Sequence, residues 1–276
     1  MTAGAPPLQL TDAERTAIEA VELARHPQRP RALRVLGEAF TDFTELHGDR
    51  LFGDDAAVVG GTARLGERWV MVVAQEKGVD AASRAHRNFG MPHPEGYRKA
   101  IRLMRLADHF GLPLVCLVDT PAAHPGVGAE ERGQAWAIAD CLRVMLSLRV
   151  PTVSAILSEG GSGGALALAV ADRVLALENA VYAVAPPETV AAILYRDSGQ
   201  RARAAAAQRP LVRTAAELGI VDELVPEPAP GAHAHPSIVI AVLAGSIERT
   251  LDELCALPPQ ERMRRRIDRQ RELGGT

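Results

Sequence analysis

The chain has 276 residues, of which 47% are hydrophobic and 24% charged, with a formal net charge of −3. That composition describes a soluble globular protein at the upper end of single-domain size. The near-neutral balance argues against nucleic acid or an anionic membrane surface as partner of the whole chain. No apolar run reaches about 18 residues without a charge, so no membrane span is expected. No basic stretch followed by an apolar one marks a secretory leader, so the expected location is the cytoplasm. Cys116, Cys141 and Cys255 lie far apart inside apolar runs, without the Cys or His spacing of a metal site, and read as buried free thiols in a reducing compartment.

In chain order, residues 1–10 contain Pro6-Pro7 and no apolar period, and are expected to be disordered. Thr11-Asp12-Ala13-Glu14 is a capping-box pattern that starts a helix running to about Ala24. Pro27 and Pro30 stop it. A second helix is expected through Phe40, Phe43 and Leu46, ending near Gly48. Residues 57–65 and 69–74 read as strands joined at Gly66-Glu67 into a hairpin. A loop from Gln75 to His93 follows, then a clear helix over 94–110. Its apolar face carries Tyr97, Ile101, Met104 and Ala107, and its opposite face Arg98, Lys99, Arg102 and Arg105. Residues 113–118 form a continuous apolar strand, as in a buried sheet. A loop over 119–128 and a helix over 130–148 come next.

Residues 150–157 are a further apolar strand, leading into Ser158-Glu159-Gly160-Gly161-Ser162-Gly163-Gly164-Ala165 and an Ala/Leu helix. Beyond it come short strands at 172–177 and 180–184, a helix after Pro186-Pro187, helical segments at 196–209 and 213–218, and a strand at 220–225. A Pro/Gly/His loop at 226–236 precedes two closing helices, 236–256 and 258–272. The basic stretch from Arg262 to Arg271 is interrupted by acids and reads as a surface or subunit-contact helix.

Alternation of buried strands and helices indicates an α/β architecture. Ligands in such sheets collect at the carboxyl ends of strands, where the loops 119–130 and 158–163 converge. A strand that passes through glycines into a helix leaves unpaired N–H groups at the helix start, which favour an anion or a developing oxyanion. The same glycines serve equally well as a tight turn with close helix–sheet packing. The pattern is neither G-x-G-x-x-G nor a phosphate loop ending in Gly-Lys-Ser/Thr.

Gly90-Met91-Pro92, the run Pro94 to Ala100, the run Pro125 to Gln134 and Glu159 to Ala165 resemble the α subunit of the carboxyltransferase of bacterial acetyl-CoA carboxylase. Arg25 to Pro30 and Gly48-Asp49-Arg50 match as well, and the likeness covers about residues 24–270. The resemblance implies a crotonase-like (ClpP/crotonase) β-β-α superhelix with flanking N- and C-terminal helices. It divides the chain into a tail and helix (1–24), a carboxyltransferase domain (25–256) and a basic C-terminal helix (257–276). It implies a carboxyltransferase β subunit that carries a zinc ribbon, and a biotin carboxyl carrier protein loaded by biotin carboxylase. No metal is expected in this chain.

The implied reaction moves a carboxyl group from biotin to the α-carbon of acetyl-CoA, for fatty acid or polyketide synthesis. Negative charge develops on the ureido and thioester oxygens, so positioned donors suffice without a side-chain base. By resemblance, the N–H groups of Gly163 and Gly164 are the catalytic donors. Gly126, Val127, Gly160, Gly161, Ser162, Lys77 and Gly78 are the residues implied to bind carboxybiotin. The basic group Lys77, Arg84, Arg87, Arg98 and Lys99 would hold coenzyme A phosphates or the acidic carrier, or else form a solvated face.

This chain departs from the family at Ala122-Ala123-His124, where the family has Gly-Ala-Tyr. It departs again at Gln75, where the family has His, and at Pro186 to Thr189. Three other readings stand beside the main one. One is a dedicated carboxyltransferase or decarboxylase component acting on another acyl thioester. A second is a biotin-independent crotonase-type enzyme using Glu130, Glu131 or Glu159 as acid and base. The third is a scaffold that binds a β-like partner.

Overall fold

The computed structural model describes residues 10–273, so the expected disorder of residues 1–10 lies outside the described residues except at Leu10. The first half of the chain contains α1 (Asp12–Ala24), α2 (Ala32–Ala39), β1 (Thr41–Glu45), β2 (Val58–Leu65), β3 (Arg68–Gln75), α3 (Ala81–His86), α4 (Pro94–Phe110) and β4 (Leu114–Thr120). There follow α5 (Val127–Glu131), α6 (Gln134–Ser147), β5 (Thr152–Gly161), α7 (Ser162–Ala169), β6 (Arg173–Leu177) and β7 (Val181–Ala183). The chain continues through α8 (Pro187–Tyr195), α9 (Arg201–Gln208), α10 (Val212–Glu217), β8 (Glu223–Val225), α11 (Pro236–Cys255) and α12 (Pro259–Leu273).

One sheet runs in the order β1-β2-β3-β4-β5-β6-β8, and β7 joins beside β5. β1, β2 and β3 are antiparallel, and from β3 onward every pairing is parallel. β5 is the centre: Val153–Ile156 pair with β6, and Glu159–Gly161 pair with β7. All ten of its residues are buried, which explains its unbroken apolar start. Helix α4 packs on β2 and β3, α7 on β4 and β5, and α6 bridges α4 and α7. A second helical group, α2 with α11, packs against β4, β5 and β8.

The hairpin of β2 and β3 forms in the expected place, with Gly66 at φ +56 in its turn. The expected second helix does not extend through Leu46. It ends at Phe40, which is extended, and residues 41–45 become an edge strand on β2. The spacing of Phe40, Phe43 and Leu46 mimics a helical period, but the free edge of β2 supplies ladder partners that a lone helix end lacks. Gly61 makes this pairing possible: a Cβ there would lie 1.9 Å from the Thr44 carbonyl oxygen.

Two other segments differ from expectation. The loop 75–93 contains α3, capped by Asp80 and Ser83. The helix expected over 130–148 is broken at Gly133, φ +80, into α5 and α6.

The flanking helices are docked through specific contacts. The capping box at Thr11 and Glu14 is formed, and α1 packs on α9 through Ala17, Ile18, Ala202 and Ala205. In α12, Arg264, Arg265 and Arg271 are exposed, as a surface helix requires, but Arg262 and Arg266 are buried. The Arg266 guanidinium pairs with Asp172 at 2.7 Å and donates to the carbonyls of Met145 and Leu148 at the end of α6. It thereby serves the unpaired carbonyls of a helix C-terminus.

Candidate functional site

The site is built where β5 becomes α7. Gly160 lies between Thr120 of β4 and Tyr182 of β7, and Gly161 lies opposite Ala183. A Cβ on Gly160 would sit 2.5 Å from the Tyr182 ring, and one on Gly161 would sit 1.8 Å from the Pro121 carbonyl oxygen. These two glycines are therefore required for packing. Ser162 then turns the chain at φ +60, a left-handed conformation that non-glycine residues rarely adopt and that clusters at functional sites.

Gly163 and Gly164 form the first turn of α7, which has no side-chain cap. Their N–H groups precede the start of the helix's own hydrogen-bond ladder and point with the positive end of its dipole. The two glycines differ in surroundings. Gly163 is half-buried, and a Cβ on it would make only ordinary contact with Ile138, at 3.5 Å. Together with Ser162, Leu166, Tyr182, Val184 and Leu218 it lines a groove of about 460 Å³ with predominantly apolar walls. Gly164 is buried, and a Cβ there would lie 2.5 Å from the Ala123 nitrogen and 2.9 Å from the Tyr97 hydroxyl. The Gln75 side-chain amide donates to the Gly164 carbonyl at 2.8 Å.

Lys77 and Gly78 lie in a buried ionic cluster below this turn. The Lys77 ammonium is 2.8 Å from Asp119 and 2.5 Å from Glu159. Arg31 pairs with Asp119 at 2.9 Å, and Arg25 bridges Glu159 at 2.6 Å and Glu188 at 2.8 Å. Burial disfavours the Glu159 carboxylate, but Lys77 and Arg25 outweigh it and hold the group below its ordinary range. Burial likewise opposes ionisation of Asp119, and Lys77 and Arg31 overcome it. The Gly78 N–H is taken by Glu76 at 2.7 Å.

Gly126 donates its N–H to His124 Nδ1 at 3.0 Å, and Val127 is 75% exposed. Gly126 caps α5 and Val127 begins it, directly after the loop that presses Ala122 and Ala123 against Gly164, and neither lines the groove. The family's glycine is not needed at position 122, since none of Ala122, Ala123 and His124 has a positive φ. The His124 ring stacks on His93 with centroids 4.0 Å apart. Burial, then His93 and Arg132, keep its pKa low, so it is a neutral acceptor for Gly126.

The basic group read from the sequence does not assemble into one patch. Lys99 is fully buried on Val58 and Asp54, Arg98 pairs with Asp49 and Glu95, and Arg87 donates to the Ala56 carbonyl. Arg84 and Lys77 do come together, lining one pocket with Arg25, Arg31, Phe89 and Glu159. Sequence reasoning missed Gln75, Tyr97 and Ile138 as neighbours of the two glycines. The signal that pointed to one of them was the departure from the family at Gln75, which stands where the family has His. Among the described residues, no three His, Cys, Asp or Glu side chains come together as a metal site would need.

The family model for acetyl co-enzyme A carboxylase carboxyltransferase-like proteins matches residues 10–274. The acetyl-coenzyme A carboxylase carboxyl transferase subunit alpha of a Thermus thermophilus strain is 54% identical over 259 residues, covering 94% of this chain and 83% of the relative. That of Deinococcus radiodurans is 52% identical over 254 residues, covering 92% and 80%. Among solved structures, a transcarboxylase 12S chain superposes with a TM-score of 0.67 at 23% identity, covering 86% of this chain and 44% of the other. That likeness extends the crotonase-type fold to this chain. By sequence along nearly its whole length, the chain belongs to the acetyl co-enzyme A carboxylase carboxyltransferase-like family.

Proposed function

We propose that this chain is the α half of a carboxyltransferase that makes malonyl-CoA from acetyl-CoA, active with a β subunit. The observation that carries the reading is the uncapped glycine turn of α7, which opens on an apolar groove with Gly163 in its wall. The groove suits biotin's bicyclic ring: its walls are apolar, while the helix start offers N–H donors at one end.

Carboxybiotin, brought on a carrier protein, would supply the carboxyl group. The Gly163 and Gly164 N–H groups would stabilise the negative charge that develops on the ureido oxygen, and Ser162 would help shape the entrance. One such donor is typically worth about 10²–10³ in rate. Gly160 and Gly161 would support the turn from below, with Gly126 and Val127 at the start of α5. Lys77 and Gly78 would act through the ionic cluster that fixes the end of β5. No carboxylate lines the groove, and Glu159 is held ionised in ion pairs, which favours this reading over acid–base catalysis.

The β subunit would carry the zinc ribbon and most of the acyl-CoA site. Leu51 and Trp136, 78% and 81% exposed, line one shallow groove, with Phe52 under Arg132 beside it. Exposed apolar area of this kind suits a subunit contact. Residues 25–256 would form the carboxyltransferase unit, with α1 and α12 as its flanks. The expected setting is the cytoplasm, and no described helix is long and apolar enough to cross a membrane.

The test is carboxyltransfer by Gly163→Val with the cognate β subunit and biotinylated carrier. Valine keeps the Gly163 N–H but crowds the groove that this residue lines, so we expect carboxyltransfer to be blocked sterically, with the fold retained by circular dichroism. A near-normal rate would refute the assignment.

A further inference from the structure

We infer that Gln75 is a positioning residue for α7, holding its first turn so that the Gly163 and Gly164 N–H groups face the groove. The inference rests on the role proposed for that turn.

α7 has only eight residues, begins on the left-handed Ser162 and lacks a side-chain cap, so its first turn is weakly determined by its own backbone. Gln75 is the last residue of β3, two strands away from β5, and is wholly buried. Its Nε2 donates to the Gly164 carbonyl at 2.8 Å. On another side, Gly164 abuts the backbone of Ala122 and Ala123 and the Tyr97 hydroxyl, with no room even for a methyl group. The turn is therefore tied to β3 by a directional bond and braced by the 121–124 loop.

The bond is not needed to satisfy the carbonyl. A helical carbonyl in the first turn already has its partner one turn on, and its second lone pair is what Gln75 takes. Gln75 itself gains little, because its Oε1 is buried without a hydrogen-bond partner. A buried acceptor left unpaired is a cost to folding, so an apolar residue of the same shape should fold as well or better. On these terms the Gln75 amide serves the geometry of the turn.

The experiment compares Gln75→Met and Gln75→His with wild type, each co-purified with its β subunit, alongside Gly163→Val. Methionine matches the shape and removes the donor, while histidine keeps a ring N–H. For Gln75→Met we expect a melting temperature within about 2 °C of wild type. Its kcat should fall about 10-fold to 100-fold, as for a small misplacement of a catalytic group, with KM for acetyl-CoA unchanged. Gln75→His should recover most of the rate. Full activity in Gln75→Met while Gly163→Val is inactive would overturn the positioning role and leave the α7 reading intact. Activity in both would overturn the α7 reading itself. A matched loss of stability and rate in both Gln75 variants would reduce Gln75 to a packing residue and overturn the inference.

Discussion

Replacing Gly163 and Gly164 by alanine, one at a time, separates the two neighbours by packing alone. At Gly164 the new Cβ would lie 2.5 Å from the Ala123 nitrogen and 2.8 Å from the Ala122 carbonyl carbon. Both are backbone atoms, so the loop or the helix must shift. Overpacking of this kind costs about 1–3 kcal/mol, and alanine's helical preference returns at most about 1 kcal/mol. A net loss of about 1–2 kcal/mol lowers the melting temperature of a chain this size by about 2–8 °C. At Gly163 the same methyl meets only Ile138, at an ordinary 3.5 Å, and the turn has no positive φ there. Gly163→Ala should therefore melt with wild type or up to about 4 °C above it. Thermal unfolding followed by circular dichroism, with the variants side by side, reads both values. If Gly164→Ala melts at or above wild type, or if the two variants fall by the same amount, the description of the α7 turn is wrong.

Two further outcomes follow from the buried charges. Lys77→Met should destabilise the fold by about 2–3 kcal/mol, because Asp119 and Glu159 lose the cation between them but keep Arg31 and Arg25; chemical denaturation measures it, and a loss below about 1 kcal/mol would contradict a buried cluster. Stability should also fall steeply in acid. Burial opposes ionisation of Asp49, but the Leu51 N–H, Arg98 and the N–H groups of Phe52 and Gly53 hold its pKa at about 2. Asp119, Glu159 and Glu227 are lowered too. A carboxylate with a folded pKa below its unfolded value contributes stability that is present above about pH 4 and lost as pH falls toward the folded value. Asp49 alone accounts for about 2 kcal/mol across that window. Asp55, raised by burial, acts in the opposite sense. The urea midpoint should hold between pH 7 and pH 5 and drop below about pH 4, and an unchanged midpoint at pH 3 would contradict the ion pairs.

Local chemistry was legible from the chain alone wherever neighbours in sequence do the work. The capping box at Thr11, the hairpin at Gly66, the apolar face of α4 and the apolar run that opens β5 depend on residues a few positions apart, and each formed as read, although β5 continues as strand to Gly161 where a loop was expected from Ser158. The four glycines after Glu159 were visible too. Their division of labour was not: Gly160 and Gly161 are small because Tyr182 and Pro121 press on them, whereas Gly163 faces a groove. The end of α2 was misread because the edge of β2, not the local pattern, decides what residues 41–45 become. The basic residues were misread for a related reason. Lys77 meets its acids 42 and 82 positions away, and Arg266 meets Asp172 94 positions away. A charge in a sequence reads as solvated by default. Only the folded chain, by bringing an opposite charge to within hydrogen-bond distance in a dry interior, turns it into an internal support.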